Sequence, residues 1–141
     1  MSGESIERLK EIAEAARANA WARYSGFHVG AALEAEDGRV FGGCNVENAS
    51  YGLTNCAERV AIGAAVAAGA RTFRRLVVVS DADGPASPCG ACRQVIAEFG
   101  PMSVISLGRN GERVQWTVEQ LLPAAFDSDD LNRERRDGAA G

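Results

Sequence analysis

Two short segments, Cys56-Ala57-Glu58-Arg59 and Pro88-Cys89-Gly90-Ala91-Cys92, each stand where a helical pattern begins. A fold that uses both must bring two helix N-termini to one point. Cys89 and Cys92 are three positions apart and share a helix face, so they can grip a single ion, and Cys56 offers a third thiolate. A zinc ion with three protein ligands keeps a fourth position for water, which then ionises at a pKa of roughly 7. Glu58 lies beside the first cysteine without being a ligand, placed to carry protons. Residues two apart on a regular helix do not share a face, so Cys56 and Glu58 can meet in one cavity only if Cys56 occupies the cap. Three thiolates overcompensate a dication. Two helix N-termini aimed at the sulfurs, and Arg59 donating hydrogen bonds to them, would tune that charge back.

Two other arrangements use the same cysteines. One is a closed structural site with Cys44 as a fourth ligand, which leaves Glu58 without a role. The other is a redox Cys-x-x-Cys. His28, the single histidine, follows Phe27 in a strand pattern and reads as a packing or rim residue.

Composition narrows the class. At 141 residues and 46% hydrophobic, the chain is long enough for one domain that covers a sheet on both faces. Fifteen basic against nineteen acidic residues give a net charge of −4, which disfavours nucleic acid as a partner. Glu4, Glu7, Arg8, Lys10 and Glu11 break up the start of the chain, so no signal-peptide core is expected there, and no apolar run reaches the roughly 20 residues of a membrane span. A cytoplasmic protein is expected. In that reducing setting four cysteines read as metal or catalytic groups rather than as disulfides.

Along the chain, Ile6, Leu9, Ile12, Ala13 and Ala16 recur at helical spacing, predicting an amphipathic helix over 4–19. His28 to Ala35 and Arg39 to Asn45 flank Asp37-Gly38 and predict an antiparallel hairpin. Asn45 to Asn55 is a polar, aromatic loop leading into the first cysteine. Cys56 to Ala68 is a helix apolar nearly all round, a pattern that places part of its cover on another subunit or marks it as merely alanine-rich. Leu76 to Val79 is a buried strand, expected beside the preceding strand and parallel to it. A loop, a helix over Cys89 to Phe99, a strand over Val104 to Leu107, a turn at Asn110-Gly111 and a strand over Arg113 to Trp116 follow. Thr117 and Gln120 form a capping box for a short closing helix. The expected architecture is α/β, a three-layer α/β/α fold on a five-stranded mixed sheet. It occupies residues 1–126, with a charged, disordered tail over 127–141.

These segments, together with Tyr24 to Leu33, Gly43 to Thr54, Arg93-Gln94 and Leu121 to Phe126, resemble cytidine deaminases of the small homotetrameric kind whose zinc is held by three cysteines. The resemblance runs from about Ala20 to Leu131. It implies hydrolytic deamination of cytidine and 2′-deoxycytidine to uridine and 2′-deoxyuridine, one zinc per subunit on Cys56, Cys89 and Cys92, and Glu58 as the proton carrier. It further implies that Asn45 and Glu47 hold the ribose, chiefly its 3′-hydroxyl, that Phe27 walls the pyrimidine, and that Ala57 and Tyr51 line the pocket. Tyr51 would reach across a subunit boundary and Phe126 would come from a neighbouring subunit of a homotetramer. A deaminase for another cytosine-bearing molecule, such as blasticidin S, shares the metal motifs, but the intact Asn45-to-Leu53 loop argues for a nucleoside. His28 stands where the family often has another residue.

Overall fold

Successive side chains of a strand point to opposite faces, and in β1 (Val29–Ala35) every residue after Val29 is buried. A strand with both faces covered belongs inside a sheet. The computed structural model, which describes residues 3–132, places it there. Gly38, at φ 93°, turns the chain, and β2 (Val40–Cys44) returns antiparallel with Leu33 opposite Phe41 and Gly30 opposite Cys44. With β3 (Phe73–Ser80), β4 (Ser103–Leu107) and β5 (Arg113–Thr117) the sheet has the order β2-β1-β3-β4-β5. Only β3 and β4 are adjacent and parallel, and the other neighbours are antiparallel.

One expectation is corrected. The strand after the second helix does not lie beside β2. It crosses over β1 and pairs antiparallel to it, Ala32 opposite Val77. The physical reason is that β1 carries apolar residues to both faces, and a ladder on each of its edges keeps it in the interior. The strand also starts earlier than the apolar run Leu76 to Val79. Arg75 Nε and Nη2 donate to Glu34 Oε1 at 2.9 and 2.8 Å, so a buried ion pair extends the β1–β3 ladder through a charged position.

The two faces are filled by different helices. From α1 (Gly3–Arg17), Leu9 and Ala13 pack on Ala32, Val77, Val79 and Ile105. The approach at Gly30 is so close that an added Cβ would sit 2.0 Å from the Ala13 carbonyl oxygen. On the opposite face, Ala61, Ile62 and Ala65 of α2 (Ala57–Ala67) and Ile96 of α3 (Gly90–Glu98) cover Ala31, Leu33, Leu76, Val78 and Val104. The result is the three-layer α/β/α sandwich expected. α2 is apolar nearly all round, yet within one chain only one side is covered, and Gly63, Ala64 and Ala67 are exposed.

The last helix, α4 (Val118–Leu121), is closed by the capping box: Thr117 Oγ1 accepts from Gln120 N, and Gln120 Oε1 accepts from Thr117 N. Residues 128–132 form a helical turn whose first N–H groups are met by Asp127 Oδ1, which accepts from Asp129 N and Asp130 N. The rest of the expected tail lies outside the described residues.

Candidate active site

A helix begins with amide N–H groups that have no intrahelical acceptor and carry partial positive charge, so it favours an anion at its cap. Both α2 and α3 place a cysteine there. Cys56 and Cys89 are the N-cap residues, each with extended backbone, and Cys89 Sγ accepts from Cys92 N at 3.5 Å. With Cys56 at the cap rather than in the regular turn, Glu58 at the second helical position is free to point inward, and it is 5% exposed.

The three sulfurs of Cys56, Cys89 and Cys92 lie within 4.8 Å of one another, and those of Cys56 and Cys89 are 3.6 Å apart. Tetrahedral ligation with Zn–S bonds of about 2.3 Å puts sulfurs about 3.8 Å from each other, so the spacing suits zinc. Electrostatics agrees. Contact with the Cys92 thiol, helped by Arg59, lowers the Cys56 thiol to about 5. The same contact and burial push Cys92 up. A bound dication would let all three thiols ionise. Cys92 is buried, Cys56 intermediate and Cys89 exposed, which gives the site an open side.

Arg59 reaches the cluster as its sequence position implies: Nη2 donates to Cys56 Sγ at 3.5 Å and to the Thr54 carbonyl at 3.3 Å. Burial holds the Glu58 carboxyl above its ordinary range, with the Cys56 charge adding to the effect. Such a group is suited to take up and pass on a proton. Among the described residues, the Cys56, Cys89 and Cys92 set is the one group of three or more His, Cys, Asp or Glu side chains close enough to share an ion. Cys44, on β2, is not part of it.

Beside the cysteines, segments 21–27 and 45–47 are laced together. Trp21 N donates to Asn45 O and Glu47 N to Trp21 O. The Asn45 side chain bridges the strand start, with Nδ2 donating to Phe27 O at 2.8 Å and Oδ1 accepting from Val29 N at 2.9 Å. One Nδ2 hydrogen remains to offer. Glu47 Oε1 accepts from Tyr24 N and Ser25 N at 2.9 and 3.0 Å, and Oε2 accepts from the Ser25 hydroxyl. The Ser25 hydroxyl and these amides hold the Glu47 carboxyl below its usual range. Three of its roughly four acceptor positions are filled, and the fourth is on Oε2. Asn45 thus keeps one donor and Glu47 one acceptor position beyond these bonds.

Glu47, Tyr24, Ser25, Tyr51 and Thr54 line a cleft of about 400 Å³, with Tyr24 and Tyr51 edge to face at 6.1 Å. Phe27 is 40% exposed. Ala57, fully buried, can offer the site only the backbone N–H of the helix's first turn. Phe126 is not in this cleft. Gln94 Nε2 holds its carbonyl at 2.9 Å, and it borders a separate groove with Pro123 and Ala125. His28 is tied to Asp81, Nδ1 to Oδ2 at 2.7 Å. The residue missed in the sequence is Ser25, whose hydroxyl also accepts from Phe27 N at 3.0 Å. Its signal was a serine two positions before the residue it caps.

Residues 3–107 match the family model for the cytidine and deoxycytidylate deaminase zinc-binding region. The cytidine deaminase of Sporosarcina psychrophila is 52% identical over 129 residues, covering 90% of this chain and 95% of that protein. That of Halalkalibacterium halodurans is 49% identical over 131 residues, covering 90% and 99%. The crystal structure of cytidine deaminase from Burkholderia pseudomallei superposes with a TM-score of 0.83 at 50% identity, covering 89% of this chain and all of that one. The chain built around this three-cysteine cluster belongs to the zinc-binding cytidine and deoxycytidylate deaminase family.

Proposed function

We propose that the protein hydrolyses cytidine and 2′-deoxycytidine to uridine and 2′-deoxyuridine, releasing ammonia, as a pyrimidine-salvage enzyme of the cytoplasm. The observation that carries this reading is a buried carboxyl, Glu58, beside three convergent thiols, two at the caps of α2 and α3 and one in the first turn of α3. When bound by Cys56, Cys89 and Cys92, zinc supplies a water acidic enough to act as nucleophile near neutral pH. Everything else is done by the chain. Glu58 takes the proton released by that water and delivers it to N3 of the cytosine ring, then takes the remaining proton from the hydroxyl now on C4 and passes it to the departing amine as the C4 carbonyl forms. Phe27 packs against the pyrimidine, the Ala57 N–H reaches its edge, and Asn45 and Glu47 fix the sugar hydroxyl between one donor and one acceptor.

Arg59 neutralises part of the thiolate charge through its bond to Cys56 Sγ. Arg59→Gln therefore keeps one zinc per chain, measured by metal analysis, but lowers kcat by about 10- to 100-fold, because more charge stays on the sulfurs and the water is less acidic.

The catalytic domain spans residues 1–126 and works as a homotetramer. Trp21, Tyr24, Phe27, Val46, Tyr51 and Leu53 are all exposed around the cleft, Tyr51 by 75%. An apolar rim of that kind, beside the open face of α2, favours cover by other copies. Phe126, outside its own chain's cleft, is available to a neighbour's. Among the described residues no helix is long and apolar enough to cross a membrane.

The test is direct. Purified zinc-loaded protein should convert cytidine and deoxycytidine with loss of cytosine absorbance and stoichiometric ammonia. Silence on both by fully metallated protein would refute the substrate assignment.

A further inference from the structure

We infer that Ser25 is a specificity-determining positioning residue, whose hydroxyl aligns the sugar-binding carboxylate of Glu47 with the pyrimidine wall Phe27. The inference rests on the proposed roles of Glu47 and Phe27 and adds a residue to them.

The geometry singles out this one hydroxyl. It donates to Glu47 Oε2 and accepts from Phe27 N, so one side chain joins the two substrate-facing groups directly. Gly26, at φ 71°, supplies the left-handed turn that lets Ser25 and Phe27 flank it, and its N–H is held by Ala22 O at 2.8 Å. On the other side of Phe27, its carbonyl is held by Asn45 Nδ2. Phe27 is therefore held at its C=O by Asn45 directly, and at its N–H by the Ser25 hydroxyl that in turn bonds Glu47.

The two oxygens of Glu47 are not equivalent. Oε1 is saturated by two backbone amides, Tyr24 N and Ser25 N, which any residue at position 25 other than proline would still supply. Oε2 has a single protein donor, the Ser25 hydroxyl, and keeps the open acceptor position. Loss of the hydroxyl thus leaves the loop anchored but frees the one oxygen that would meet substrate. That oxygen then carries two open positions and no fixed direction, and recognition of the sugar hydroxyl loses its geometry.

The experiment compares competitive inhibition by uridine and by 3′-deoxyuridine in the zinc-loaded full chain, for wild type, Ser25→Thr, Ser25→Ala and Ser25→Val. Inhibition reads binding without the chemical step. Wild type should bind uridine more tightly than 3′-deoxyuridine. Ser25→Thr, which keeps the hydroxyl, should preserve that ratio, while Ser25→Ala and Ser25→Val should shrink it by about tenfold. KM for cytidine should rise in the same two variants, with kcat little changed. A ratio in Ser25→Ala or Ser25→Val equal to that of wild type overturns the role of Ser25 while leaving the sugar reading of Glu47 intact. Equal binding of the two nucleosides by wild type overturns that sugar reading, and the role of Ser25 with it.

Discussion

Replacing Glu58 with glutamine is expected to lower kcat on cytidine by about a thousandfold while leaving the zinc content at one per chain. Glutamine matches glutamate in size, so the substitution tests protonation rather than packing. The side chain is 5% exposed at the second position of α2, behind a cap whose cysteine it does not touch covalently, and the three sulfurs do not need it to converge. What is lost is the group that can take a proton from water and pass it to the ring and then to the amine. An amide can hold a hydrogen bond there but cannot make those transfers. Steady-state kinetics and metal analysis on the same preparation decide the matter. A variant that turns over at the wild-type rate would remove Glu58 from the reaction, and one that loses zinc would make it a structural element of the cluster.

The second large effect is expected at a residue with no side chain. An added Cβ on Gly43 would lie 2.4 Å from Ala61 N and 2.5 Å from Ala57 O, both backbone atoms of α2 that cannot rotate aside. Gly43→Ala must therefore push the helix off β2, at a cost of about 3 kcal/mol, and with it move the end that carries Cys56 and Glu58. The expected outcome is a thermal midpoint lower by about 10 °C and a kcat reduced by about 100-fold in the protein that remains folded. The neighbouring Gly42 is the control. A Cβ there meets Ile12 Cγ2 at 3.5 Å and Ala16 Cβ at 3.6 Å, ordinary contact distances, so Gly42→Ala should change neither quantity appreciably. Equal tolerance at both positions would mean that α2 is not seated on β2 as described.

Much of this was legible in the chain because it is local. Asp37-Gly38 announces the hairpin, Thr117 with Gln120 announces the last helix, and the cysteine segments announce two caps that converge. Even the condition that Cys56 precede the regular turn follows from helix geometry alone. What was not legible depends on residues distant in sequence. The partner of β3 is decided by how β1 is covered on both faces, and its early start by Glu34 and Glu36 holding Arg75 and Arg74 across the ladder. The orientation of Glu47 hangs on donors more than twenty positions away, at Tyr24 and Ser25, which no periodicity marks. Family resemblance could name Glu47 but not the hydroxyl that aims it. Phe126 illustrates the reverse case: its proposed role needs a neighbouring copy, so a single chain can show only that it stands apart from its own cleft.

The central claim is that three sulfurs hold one zinc and leave a corner for water beside Glu58. X-ray absorption at the zinc edge of the purified protein tests it most directly. The account predicts three sulfur neighbours at about 2.3 Å and one oxygen or nitrogen at about 2.0 Å. Four sulfurs, with Cys44 drawn in as the last, would close the corner and contradict it.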